Sequence, residues 1–219
     1  MVFSQRLIRP ELLDHVSAEE ARPNLADLVR INRFLGGHST IRKLLSTAVS
    51  RDEKFTVLDI GAASGDTARY IADLYPHASV TSLDYNLTNL EAAPFPKLIA
   101  DAFSLPFGER SFDFVMSSLF LHHFTDEQVV ALLRSFHGAA RRGLLIADLE
   151  RHVLPYLFLK LSKPFFGWGR ITVHDGLISV RAAFRKGELQ GLAKSAGIQN
   201  AKLESHRPAF RLTLSSVKG

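Results

Sequence analysis

Three carboxylates close successive apolar runs in the middle of the chain. Asp59 lies within Val57-Leu58-Asp59-Ile60-Gly61-Ala62-Ala63-Ser64-Gly65-Asp66, Asp84 ends SVTSLD nineteen residues past Gly65, and Asp101 ends KLIAD. An apolar run that opens into small residues and then a helical pattern lets the backbone approach a ligand closely. The helix behind it offers free N–H groups and the positive end of its dipole. An acidic side chain at the tip of the next strand can accept hydrogen bonds from ribose hydroxyls. Any one of these aspartates could be a solvated loop residue, but three in register describe one ligand-binding edge. Further along, His122 and His123 follow the run FDFVMSS, and an imidazole whose ordinary pKa is about 6.5 suits proton abstraction. Asp148 and His152, in ADLERH, form a second candidate set, in which the carboxylate would orient the imidazole and favour its protonated form.

These residues need a scaffold that brings strand ends together. From Phe55 the sequence alternates FTVLDI, SVTSLD, KLIAD, FDFVMSS and GLLIADL with helical patterns, the signature of parallel strands covered by helices. One helix runs through Ala68, Ile71, Ala72 and Tyr75. Another opens with the capping box Thr125 to Gln128 and turns Val129, Leu132, Leu133 and Phe136 inward. Leu189, Leu192, Ala193 and Ala196 predict a further helix, closed by Gly197. The runs AKLES and FRLTLSS are joined by His206-Arg207-Pro208, too short a link for anything but an antiparallel hairpin. The expectation is an α/β sheet of about seven strands, mostly parallel, with helices between the first five. The first fifty residues read as helices: a run from Leu25 to Leu35 stops at Gly36-Gly37, and Ile41, Leu44, Leu45 and Ala48 keep helical spacing. Residues 1–50 are therefore expected as a helical cap on a domain of residues 51–219, with 153–180 as a lid.

Composition narrows the chemistry. The 219 residues are 46% hydrophobic and 22% charged, ordinary globular proportions. With no cysteine, disulfides, thiolate zinc sites, iron–sulfur clusters and a cysteine nucleophile are excluded, and no metal site is expected. A reducing cytoplasm is the expected compartment. Arg6, Arg9 and Pro10 interrupt the N-terminus before an export signal could form. Val153 to Trp168 comes nearest to a membrane span but is short and carries Lys160, Lys163 and two prolines. It reads as a buried or interfacial cover and leaves contact with a membrane surface open. The net charge of +5 is scattered, which speaks against a nucleic-acid partner. No feature of the sequence speaks to an oligomeric state.

Taken in order, VLDIGAASGD, SLDYN, DAFSLPF, SFDFVMSSLFLHHF and the terminal hairpin resemble the class I S-adenosylmethionine-dependent methyltransferases, and are most similar to the small-molecule enzymes that include the ubiquinone and menaquinone C-methylating ones. The likeness covers Phe55 to Asp148 in motifs and the remainder in architecture. It implies a Rossmann-like seven-stranded sheet with S-adenosylmethionine as cofactor. Gly61 and Gly65, with Ala62 and Ala63 between them, would line the methionine end. Asp84, with Tyr85 beside it, would bind the ribose, and Asp101 with Ala102 would meet the adenine. Asp59 would position the loop and the cofactor's amino group, and Ser117 would complete the contacts. Ala63 departs from the family pattern, which usually has glycine there. A nicotinamide enzyme would instead want G-x-G-x-x-G after its first strand, where this chain has G-x-x-x-G.

Under this reading His122, His123, Asp148 and His152 are the catalytic candidates. The apolar stretch after them favours a hydrophobic acceptor (aromatic, polyketide-like or quinone-like) over a sugar or nucleotide. Arg170, His174, Asp175 and Arg181 are expected at the pocket mouth. An RNA-directed methyltransferase is the alternative within the enzyme class, though Ser117-Ser118-Leu119-Phe120 lacks the Asn/Asp-Pro-Pro-aromatic motif of base-amino methylation. A non-catalytic cofactor-binding subunit of the same fold is the other alternative.

Overall fold

Five of the apolar runs pair side by side in one direction. In the computed structural model, which describes residues 3–218, they are β1 (Phe55–Ile60), β2 (Ala78–Asp84), β3 (Lys97–Ile99), β4 (Phe112–Ser118) and β5 (Ala140–Leu149). The terminal hairpin supplies β6 (Lys202–His206) and β7 (Arg211–Val217). The sheet order is β3-β2-β1-β4-β5-β7-β6. β7 runs antiparallel to both β5 and β6, so the sheet is mixed at one edge and parallel elsewhere, as expected.

Alternation along the strands builds two cores. Leu58, Val115 and Leu144 face one side with Leu132, Leu133 and Phe136 of α5 (Asp126–Ala139) and Leu189 of α8 (Lys186–Ser195). Val57, Phe114 and Leu145 face the other with Ile71 of α3 (Asp66–Leu74) and Ile41, Leu44 and Leu45 of α2 (Gly37–Ser46). Because both faces are covered, the central strands are buried almost throughout and read as continuous apolar runs. The capping box at Thr125 and Gln128 forms as predicted.

Two expectations need correction. No helix separates β3 from β4: residues 100–111 run as turns, in a stretch holding Pro106 and Gly108. The first fifty residues are not helical throughout. Helix α1 (Ala18–Phe34) starts only after a 3₁₀ turn at Leu12–His15, and residues 3–11 form an irregular strap. The strap is tied to distant parts of the chain. Leu7 N–H donates to Arg181 O at 3.1 Å, and the Arg6 guanidinium reaches the carbonyls of Ala182, His122 and Phe124. The stretch from 153 is two helices, α6 (Val153–Phe166) and α7 (Arg170–Ala182), separated by Gly167 in the left-handed conformation. A short α4 (Leu87–Leu90) follows β2.

Candidate active site

The small-residue loop leaves β1 at the carboxyl edge, where Gly61 and Gly65 both take positive φ. A Cβ on Gly61 would collide with the Phe120 ring, so that position needs glycine on space as well as conformation. The loop is tied to the end of β2. Gly61 and Ala62 donate N–H bonds to Leu83 O at 2.9 and 3.1 Å, and Ala63 N–H donates to Asp84 Oδ2 at 2.9 Å. The other Asp84 oxygen accepts from Asn86 N–H at 2.9 Å. Ala63 itself has φ +45°, a conformation that glycine adopts freely and that costs an L-residue roughly 1–2 kcal/mol. Gly65 caps α3, and Asp66 in the helix's first turn accepts hydrogen bonds from Asn32 and His38, joining the N-terminal helices to the loop.

Behind the loop, Asp59 is almost completely buried. Burial, then the negative charges of Asp84 and Asp66, push its carboxyl up to about 8. Its Oδ2 and the Oγ of Ser117 are buried without hydrogen-bond partners, although buried polar atoms are ordinarily paired. An orphaned acceptor beneath a glycine loop is what a cationic amino group would satisfy.

On the β4–β5 side, a 3₁₀ turn at Leu121–His123 presents both histidines. His122 Nδ1 donates to Asp148 Oδ1 at 2.6 Å, and both side chains are buried. Burial disfavours the charge on each. The Asp148 carboxylate and its hydrogen bond, then Glu11, nevertheless raise the His122 imidazole above its ordinary value against the repulsion of Arg6. Burial likewise works against the Asp148 charge, but His122 and the Leu149 N–H hold that carboxyl below its ordinary value. His123 is pushed down to about 3, first by burial and then by His122, so it is a neutral imidazole at pH 7. Glu11, carried in by the strap, places Oε1 at 3.9 Å from His122 Nε2 and at 3.9 Å from His123 Nδ1, and Ser179 Oγ donates to the same oxygen. The ligand atoms of Glu11, His122 and His123 lie within 4.8 Å of one another, close enough for modest side-chain movement to gather them around a cation. Arg211 is buried beside this cluster, and burial, opposed by Asp148, lowers its guanidinium to about 10.

A single cavity of about 2090 Å³ joins the two regions. Gly61, Ala62, Ala63, Asp84, Tyr85, Asp101, Ala102, His122 and His123 line it, and its walls include Leu25, Leu28, Val29, Phe158 and Leu159. Asp59, Gly65, Ser117 and Asp148 lie behind that lining as supports. The expected pairing of Asp148 with His152 does not form. β5 continues to Leu149, so Asp148 still points to the same sheet face as Ile146 and meets His122. His152 lies past the strand, accepts Leu154 N–H at 3.1 Å as the cap of α6 and stacks on Phe210. Asp175 lines the cavity and also holds the strap, accepting N–H bonds from Leu12 and Leu13 at 2.9 and 3.0 Å while His174 bonds to its Oδ1. Arg170 and Arg181 are not among the residues around the cavity. Glu11, Ser179 and Arg211 escaped the sequence reading. None carries a local motif, and only the fold brings them to the histidines.

Residues 58–147 match a methyltransferase domain family. The chain is 28% identical over 145 residues to malonyl-[acyl-carrier protein] O-methyltransferase 1 of Coxiella burnetii, covering 54% of this chain and 51% of that protein. It is 31% identical over 127 residues to the demethylmenaquinone methyltransferase of Thermotoga maritima, covering 55% of each. The chain thus spans about half the length of these curated relatives. Among solved structures it superposes with a TM-score of 0.69 and 14% identity on the plantazolicin methyltransferase BpumL in complex with a monoazolic desmethylPZN analog and SAH, covering 95% of this chain and 92% of that one.

Proposed function

We propose that this chain, whose residues 58–147 match a methyltransferase domain family and whose sheet runs β3-β2-β1-β4-β5-β7-β6, moves the methyl group of S-adenosylmethionine to an oxygen or carbon of a hydrophobic aromatic, polyketide-like or quinone-like small molecule. The observation that carries the reading is the shared cavity, with a glycine loop and ribose-ready carboxylate on one side and an imidazole–carboxylate cluster on the other. The strand arrangement favours it over a nicotinamide enzyme, whose sheet would continue in parallel where β7 here is antiparallel.

The cofactor supplies an electrophilic methyl group on a sulfonium. Gly61 to Ala63 would receive its methionine end, with Asp59 answering the amino group. Asp84 would accept from the ribose hydroxyls, and Asp101 and Ala102 would flank the base. For methyl transfer the protein must align the acceptor and take up its proton. His122 is set up for the second task. Asp148 fixes its tautomer through Nδ1, leaves Nε2 toward Glu11, and stabilises the imidazolium that forms. Neutral His123 would orient the acceptor hydroxyl. The N-terminal region through residue 50 would act as a cap and residues 153–180 as a lid, because α1, α6 and α7 supply the apolar walls.

Calorimetric titration with S-adenosylmethionine, S-adenosylhomocysteine and NADH, followed by radiolabelled methyl transfer to hydrophobic phenols and quinols, tests the reading. Binding of the first two with transfer to such an acceptor is expected. Binding of NADH alone would overturn it, and cofactor binding without transfer to any acceptor would favour a non-catalytic subunit.

A further inference from the structure

We propose that α6 is an interfacial docking helix that seats the protein on an anionic lipid surface. Its sequence, VLPYLFLKLSKPFF, is that of a core helix, yet Ser162 is its only buried residue. Leu154, Leu157, Phe158, Leu161 and Phe165 follow the spacing of one helical face and all are exposed, Leu161 at 68% and Phe165 at 86%. Of the fifteen large exposed hydrophobic residues among those described, seven lie on this one helix. Scattered apolar residues on a surface need no explanation, whereas a contiguous stripe marks an interaction face.

Charge identifies the occupant. From His152 to His174 there is no aspartate or glutamate, while Lys160, Lys163 and Arg170 stand along the stretch, all three exposed. An apolar stripe on a segment whose only charged side chains are cations suits the boundary between anionic headgroups and acyl chains. A helix of fourteen residues is about 21 Å long, and no helix among the described residues is long and apolar enough to cross a membrane. The helix therefore lies on the surface rather than through it. It rests on α7, and Leu154 and Phe158 also line the large cavity, so α6 stands between the lipid and the site. An apolar acceptor dissolved in the lipid would then enter without crossing bulk water. That last step rests on the function proposed above, while the docking does not.

Co-sedimentation of the full chain with vesicles tests the inference. Binding is expected to vesicles of phosphatidylglycerol mixed with phosphatidylcholine, weaker binding to phosphatidylcholine alone, and loss of the difference between them at high salt. Leu161→Asp combined with Phe165→Asp should lower partitioning by at least about tenfold. Because both side chains are exposed, the variant should keep its thermal midpoint and its affinity for S-adenosylhomocysteine, which separates failure of docking from failure of the site. Absence of wild-type binding to either vesicle, or binding that the double substitution leaves intact, would overturn the proposal. So would light scattering showing a dimer that the same substitutions dissolve, since a second copy would then be what covers the face.

Discussion

The two halves of the cavity are built by opposite strategies. The β1–β2 half is local: Asp59, Gly61, Ala63 and Asp84 fall within one strand–loop–helix–strand unit, and one carboxylate oxygen of Asp84 holds the loop through Ala63 N–H while the other holds the turn after β2 through Asn86 N–H. The β4–β5 half is assembled from distant segments. Glu11 comes from the strap, His122 and His123 from the turn after β4, Asp148 from β5, Ser179 from α7 and Arg211 from β7. A binding site that must recognise one invariant molecule can be encoded once and locally. A site for a variable acceptor gathers its groups from whichever elements surround the cavity.

If the halves are functionally separate, substitutions in one should spare the other. The largest effect is expected at the acid–base cluster. His122→Ala should lower kcat by roughly 10²- to 10⁴-fold while leaving the affinity for S-adenosylhomocysteine within about twofold of wild type. A parallel loss of cofactor affinity would collapse the distinction. His123→Ala should also spare cofactor binding, with a smaller fall in turnover if, as proposed, that imidazole orients the acceptor and does not carry the proton. Next comes Asp84→Ala, expected to weaken S-adenosylhomocysteine by on the order of a hundredfold, the worth of one or two hydrogen bonds to a charged group. Asp84→Asn, which keeps the shape, should fall between. Calorimetry reads both, and retained affinity in Asp84→Ala would remove that residue from the cofactor site.

How much of each half could be read in advance follows from the same contrast. The loop, the carboxylate at the end of β2 and the mixed sheet were legible because a short apolar run, small residues and a following helical pattern occupy adjacent positions. His122 and His123 were legible as types at a strand end, but their partner was not. Asp148 and His152 are neighbours in sequence, yet the length of β5 turns Asp148 toward His122 and leaves His152 to cap α6. Glu11 sits beside Pro10 with no periodic signal, and only its placement by Asp175 through Leu12 and Leu13 brings it near the imidazoles. The exposure of α6 was legible only as one of two readings, since a stretch rich in leucine and phenylalanine reads equally as a buried or an interfacial cover.

Titration sharpens the comparison. On the cluster side, His122 faces Asp148, Glu11, His123 and Arg6, and its pKa is raised. As a base it must first be neutral, so turnover should climb with pH through a midpoint above 6.5. Stability runs the other way. A raised histidine pKa contributes stability that is complete below 6.5 and lost as pH rises through the folded value, while the lowered pKa of Asp148 contributes stability that is lost as pH falls below 3.8. His122→Gln should flatten the first of these slopes in thermal midpoints measured against pH; an unchanged slope would mean the pair does not titrate as an ion pair. On the loop side, Asp59 is raised to about 8 and is mostly protonated at pH 7. A cationic amino group settling beside it favours the charged form, so cofactor binding at pH 7 should release up to one proton. Calorimetry in buffers of different ionisation enthalpy measures this, and Asp59→Asn should abolish it.

The smallest expected effect concerns the one residue of the local half that departs from the family pattern. Ala63 holds φ +45°, at a steric cost of roughly 1–2 kcal/mol. Glycine would remove that strain but carries an unfolded-state entropy cost of about 0.5–1 kcal/mol. The steric term is the larger, so Ala63→Gly should stabilise the fold by roughly 0.5–1 kcal/mol, a rise of a few degrees or less in thermal midpoint for a chain of this size. The hydrogen bond from its N–H to Asp84 survives, so His122-dependent turnover should not change. A fall in midpoint would mean that the Asp84 carboxylate and the alanine methyl already hold the loop without strain, and that the departure from glycine is accommodated by the loop's neighbours.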